Sequence, residues 1–173
     1  MSKANRITEQ HLSFHYQLHE TTMKNKNHEI TILMADDDED DILLTTKALK
    51  QSRLLNTLIS VSDGEELLEY LKRRGTYKNP DASPRPGLIL LDLNMPKMDG
   101  REALREIKLD ENLKDIPIIV FTTSKADEDI YRSYKLGVNS FITKPVKFEE
   151  LIAVIASLGN YWFKIVKLPN NGN

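Results

Sequence analysis

The sequence predicts an α/β domain: a doubly wound, five-stranded parallel sheet in the order 2-1-3-4-5, with an extended C-terminal helix. Three observations predict it. Five short apolar runs, ITILMA, LISV, LILLD, IPIIVF and SFIT, alternate with five segments of helical spacing. The runs are hydrophobic throughout instead of alternating with polar residues, as strands covered on both faces are. Five such units in 173 residues suit an open sheet better than a barrel, and right-handed crossovers leave few other orders.

Residues 1–28 stand apart as an N-terminal arm. They are polar and hold all four His. Leu12, Phe14, Tyr16 and Leu18 alternate with the period of a strand. On a strand His11, His15 and His19 would share one face about 13 Å apart, too far for one ion. The arm is therefore expected to be mobile or to pair with a partner, not to bind metal.

From residue 29 the chain is regular. After ITILMA, ILLTTKALK carries apolar residues at helical spacing. LISV is followed by the helix SDGEELLEYLKRR, with Ser62 as expected N-cap and Glu65 completing a capping box. GTYKNPDASPRPG reads as loop. LILLD leads through the turn MPKMDG into the helix REALREIK. IPIIVF precedes SKADEDIYRSYKLG, expected to be capped by Ser124 with Asp127 at the capping-box position, and to end at Gly137. SFIT, a break at KP and the helix VKFEELIAVIASL complete the series.

Composition excludes several function classes. A net charge of -2 gives no footprint for nucleic acid or an anionic membrane. The absence of Cys removes disulfides, thiolate catalysis and Cys-ligated zinc. No apolar run approaches the ~20 residues that span a bilayer, and no signal peptide opens the chain; a cytoplasmic protein is expected. Neither GxGxxG nor GxxxxGK[ST] occurs.

In doubly wound sheets ligands bind beyond the carboxyl ends of the strands, where strand order reverses. The residues that follow the strands are Asp36 and Asp37, Asp92, Thr122 with Thr123, and Lys144. Any one of them is ordinary loop polarity; four strand ends that supply one chemistry are not. Two carboxylates ~4 Å apart repel by about 4 kcal/mol at an effective dielectric near 20, more than Lys144 alone offsets. Mg²⁺ suits such a site, since it takes carboxylate, water and phosphate oxygens. The set predicts phosphoryl transfer to an Asp nucleophile. Asp36 and Asp37 are expected to be buried metal ligands, Asp92 the nucleophile, and the Asn94 backbone carbonyl a further ligand. Thr122 and Lys144 are expected to hold the phosphoryl group. Asp38 to Asp41 would open the next helix, where its dipole favours negative charge.

MADDDEDD, LILLDLNMPKMDG, VFTTS and FITKP, in that order, resemble the receiver domains of bacterial two-component response regulators. The resemblance runs from about Glu29 to Leu158, giving a receiver domain at 29–158. It implies the flavodoxin-like receiver fold and a phosphoacceptor at Asp92, loaded from the phosphohistidine of a sensor kinase. It also implies Mg²⁺ on Asp36 and Asp37, phosphate sensing by Thr122 and Lys144, a switch residue at Phe141 and a cis peptide bond at Lys144–Pro145. Phe141 stands where many receivers carry Tyr, and Asp36 where relatives often carry Glu. The long loop, the TTS triplet, EDIYRSYKLG and YWFKIVKLP are similar to stand-alone regulators paired with phytochrome-type kinases, which implies a homodimer without an output domain.

Leu151, Val154, Ile155, Leu158, Trp162, Ile165 and Val166 keep a helical period past the point where a receiver ends. The extension at 159–173 is expected to expose an apolar patch that serves as a dimer contact, or to fold back on its own domain if Gly159-Asn160 breaks the helix. Two alternatives to a signalling switch stay open: an Mg²⁺-dependent phosphatase of the haloacid-dehalogenase type, and a receiver fold kept as a dimerisation scaffold. The first typically has Asp two residues after its nucleophile, where this chain has Asn94.

Overall fold

The computed structural model describes residues 30–166. The strands are β1 (Thr31–Ala35), β2 (Thr57–Val61), β3 (Leu88–Leu91), β4 (Ile118–Thr122) and β5 (Ser140–Thr143). The helices are α1 (Glu39–Gln51), α2 (Gly64–Leu71), α3 (Gly100–Leu109), α4 (Asp127–Lys135) and α5 (Phe148–Gly159). All strand pairs are parallel and the order is β2-β1-β3-β4-β5, as the sequence predicts. The three inner strands are the apolar ones: β3 and β4 are buried along their whole length, whereas β5 is half-buried throughout.

Successive strand residues point to opposite faces and make two cores. Leu33, Ile89, Leu91, Ile118 and Val120 pack with α2 and α3 on one face. Ile32, Met34, Leu88, Leu90 and Ile119 pack with α1 and α5 on the other. Helix α4 is the least anchored, since Ser133 is its only buried residue. It ends at Lys135, and Gly137, just past the cap residue Leu136, takes the left-handed φ of +89° that closes helices. Among the described residues no helix is long and apolar enough to cross a membrane.

Several local expectations are corrected. Asp63, not Ser62, caps α2, accepting from the Glu66 N–H at 2.9 Å. The capping box is shifted by one residue: Glu66 Oε2 reaches back to the Ser62 N–H and hydroxyl, at 2.7 and 2.9 Å. Ser124 does not cap α4, which begins after Ala126 with no side-chain cap, because its hydroxyl donates to Asp129 at 2.7 Å instead. The Lys144–Pro145 bond is trans, the isomer that X–Pro bonds prefer by about 0.5–1 kcal/mol.

The C-terminal helix is present, and Gly159-Asn160 does not break it. The chain continues as a π-helical turn, Asn160–Ile165, that turns Trp162 into the α1–α5 core. At 6% exposure Trp162 is no surface patch; Tyr161 and Ile165 beside it are exposed. The N-terminal arm, with His11, His15 and His19, lies outside the described residues.

Because Trp162 is core, Trp162→Ala is expected to cost about 3–5 kcal/mol of unfolding free energy. Urea denaturation followed by circular dichroism measures it, and a loss below ~1 kcal/mol would show that the extension does not pack.

Candidate functional site

The parallel ladder runs one residue past the strands, and that extra rung builds the site. Asp36 N–H donates to the Val61 carbonyl at 3.0 Å, Asp92 N–H to Ala35 at 2.9 Å and Lys144 N–H to Thr122 at 2.8 Å. Each side chain thus leaves the sheet at the same level, on the carboxyl edge, where strand order reverses between the neighbours β1 and β3. Gly100, the first residue of α3, is pressed against this edge. A Cβ there would lie 2.0 Å from the Asp92 carbonyl oxygen, so only glycine lets the helix start this close.

The cluster is held from within. Lys144 Nζ lies 2.7 Å from Asp36 Oδ2, 2.7 Å from Asp41 Oδ2 and 2.8 Å from Asp92 Oδ2. Thr122 Oγ1 donates to Asp92 Oδ1 at 2.6 Å, and the Asn94 N–H to the same oxygen at 3.1 Å. Asp36, Asp92 and Thr122 are buried, and the Lys144 side chain is 7% exposed.

Three carboxylates face one ammonium, so negative charge is in excess. Burial lifts the Asp36 carboxyl to about 6 against the pull of Lys144, and the Asp92 charge adds to the lift. Burial also works against the Lys144 ammonium, but hydrogen bonds to Asp36, Asp41 and Asp92 outweigh it and the net shift is upward. Asp36 Oδ2 is buried and meets no donor besides the Lys144 ammonium at 2.7 Å.

These donors fit a hard divalent cation. Asp36, Asp37 and Asp92 each offer a carboxylate oxygen within 4.8 Å of the others, an all-oxygen set with uncompensated charge. Asp37 is exposed, not buried as the sequence suggested; it closes the cluster from the solvent side.

Not every predicted residue joins the cluster. Asn94 reaches it through its N–H, its side chain being exposed. Phe141 stays beside it on β5, half-buried against the α2–α3 core, its N–H donating to the Tyr134 hydroxyl at 3.3 Å. Sequence reasoning missed Asp41, explained only by the helix dipole. Its signal was periodic: Asp41 shares a helical face with Thr45 and Ala48, both buried.

The model of the response regulator receiver domain matches residues 32–156. The chain belongs to that family. Response regulator Rcp1 of Synechocystis sp. is 42% identical over 138 residues, 80% of this chain and 92% of the relative. The crystal structure of the phosphorylated cyanobacterial phytochrome response regulator RcpA superposes with a TM-score of 0.76 at 41% identity, covering 82% of this chain and 99% of that one. The Mn²⁺-bound form of Rcp1 gives 0.74 at 40%, with the same coverage. The chain thus carries a receiver domain similar to those of Rcp1 and RcpA.

A testable consequence concerns stability. An Asp36 carboxyl raised from 3.8 to about 6 binds its proton more tightly in the folded state. Stability is therefore full below the lower value and falls as pH rises through the higher one, by up to about 3 kcal/mol. In EDTA at pH 7.5, Asp36→Asn is expected to melt above the wild type and to flatten the pH dependence between about 4 and 6. A variant melting below the wild type at pH 7.5 would contradict this.

Proposed function

We propose that this response regulator accepts a phosphoryl group on Asp92 from a sensor histidine kinase of the phytochrome type, and that the phosphoryl group switches partner binding in a phosphorelay. The observation that carries the reading is the single buried carboxylate that meets an ammonium on one oxygen and a threonine hydroxyl on the other. The kinase class is supported by the similarity to a cyanobacterial phytochrome response regulator.

In the transfer, an Asp92 oxygen forms a bond to phosphorus while the P–N bond of a phosphohistidine breaks and its electron pair returns to the imidazole. With a proton on its other ring nitrogen the histidine leaves as neutral imidazole, so no acid on this chain is needed. Lys144, held at charge by its three carboxylates, pairs with the incoming phosphoryl oxygens. The Thr122 hydroxyl, which donates to Asp92 Oδ1, turns to a phosphoryl oxygen as that carboxylate oxygen loses its charge. Asp36, Asp37, Asp92 and the Asn94 carbonyl would hold Mg²⁺, which supplies positive charge to the equatorial oxygens. Phe141 would follow Thr122 inward and reshape the surface that α4 presents. The protein catalyses nothing beyond its own phosphorylation and dephosphorylation.

A homodimer is the second part of the proposal. Tyr161 and Ile165 on the C-terminal turn are exposed apolar residues beside the buried Trp162. A second copy of this chain is the partner expected to cover them, in keeping with the stand-alone regulators the sequence resembles.

Two measurements test the proposal. Incubation with Mg²⁺ and acetyl phosphate, followed by intact mass, is expected to add one phosphoryl group to the wild type and none to Asp92→Asn. Rapid multiple turnover without an adduct would indicate a phosphatase, and inertness of the wild type a scaffold. Sedimentation of the wild type is expected to show a dimer that Ile165→Asp dissociates; a wild-type monomer at every concentration would end the dimer reading.

A further inference from the structure

The geometry points to Arg101 as a positioning residue for the chemistry at Asp92, acting on both loops that flank the carboxylate with Asp129 as its anchor. The inference rests on the reading of Asp92 as phosphoryl acceptor. Neither Arg101 nor Asp129 is bonded to the carboxylate cluster itself. Arg101, the second residue of α3, donates from Nε to Asp129 Oδ1 at 2.7 Å and from Nη2 to Asp129 Oδ2 at 2.6 Å. The same guanidinium turns back to the loop after β3: Nη1 donates to the Leu93 carbonyl at 3.3 Å, and Nη2 lies 3.5 Å from Asn94 Oδ1.

On the other side Asp129, in the first turn of α4, accepts from Ser124 Oγ at 2.7 Å. The Ser124 N–H donates to Thr122 Oγ1 at 3.3 Å, and that hydroxyl donates to Asp92 Oδ1. The Asn94 N–H ends on the same Asp92 oxygen. A circuit of polar contacts therefore leaves Asp92 through Thr122, Ser124, Asp129 and Arg101 and returns through Asn94.

Two properties make this circuit more than a surface ion pair. It is sheltered, with Asp129 14% exposed and Arg101 34%; the Arg101 guanidinium holds the Asp129 carboxyl down at about 2. A two-pronged guanidinium–carboxylate pair also fixes orientation as well as distance. The segment it holds has little else: α4 has no side-chain cap and buries only Ser133. The guanidinium therefore sets the spacing of the two loops, and with it the aim of the Thr122 hydroxyl and the Asn94 N–H at Asp92. Misaiming such donors by a fraction of an ångström slows a reaction without removing any reacting group.

The test compares full-length wild type, Arg101→Ala, Arg101→Lys, Asp129→Ala and the double Ala variant, loaded with acetyl phosphate and Mg²⁺ and followed by intact mass, with parallel thermal melts. Each single Ala variant is expected to form the adduct about tenfold more slowly, and the double variant no more slowly than the singles, because one unit is removed either way. Arg101→Lys keeps charge but not the fork and stays slow. Millimolar guanidinium ion restores part of the rate of Arg101→Ala and leaves Asp129→Ala unchanged, which a merely structural role would not produce. Rates within about twofold of wild type, multiplying losses, or no recovery with guanidinium would overturn the inference. Should Arg101→Ala not fold, Arg101→Lys decides: a wild-type rate overturns the inference. If the wild type itself forms no adduct, the reading of Asp92 fails and takes this one with it; a normal adduct in both wild type and Arg101→Ala removes this inference alone.

Discussion

One ammonium bonded to three carboxylates organises this molecule. Lys144 leaves the end of β5, Asp92 the end of β3, Asp36 the end of β1, and Asp41 the first turn of α1. They meet because the parallel ladder keeps its register one residue past each strand. A single slip in β5 would turn Lys144 to the other face and leave buried acids without a cation. The order of the sheet and the electrostatics of the site are therefore one constraint.

The cluster is a cost to the fold. Burial lifts the Asp36 carboxyl to about 6, with the Asp92 charge adding to the lift, and replacing such groups by neutral ones commonly stabilises a protein. What the cost provides is a place where added positive charge, or a phosphoryl group bridging Lys144 and Thr122, changes the balance by more than surface chemistry allows. The response has an outlet in α4, which lies next to the site and is thinly packed. Elements with few buried contacts reposition at the smallest free-energy cost.

Much of this was legible in the sequence. LILL and IIVF read as strands buried on both faces because they are, and the polar residue after each strand was enough to place Asp36, Asp92, Thr122 and Lys144 together. Legibility stopped where two segments compete for one side chain. Ser124 looks like a cap until Asp129 takes its hydroxyl. Ser62 looks like a cap until Asp63, the stronger acceptor, stands one residue further on. Trp162 looks like a surface aromatic because no helical period announces a π-helical turn. The pairing of Arg101 with Asp129, 28 residues apart, depends on how α3 and α4 approach in space, which no local pattern encodes.

The buried acids at the sheet edge carry uncompensated charge suited to one hard divalent ion. Calorimetric titration of Mg²⁺ into the wild type and Asp36→Asn tests this most directly. The wild type is expected to bind one ion per chain, and the variant to bind it at least about tenfold more weakly. No saturable binding to the wild type, or equal affinity in the two proteins, would contradict it.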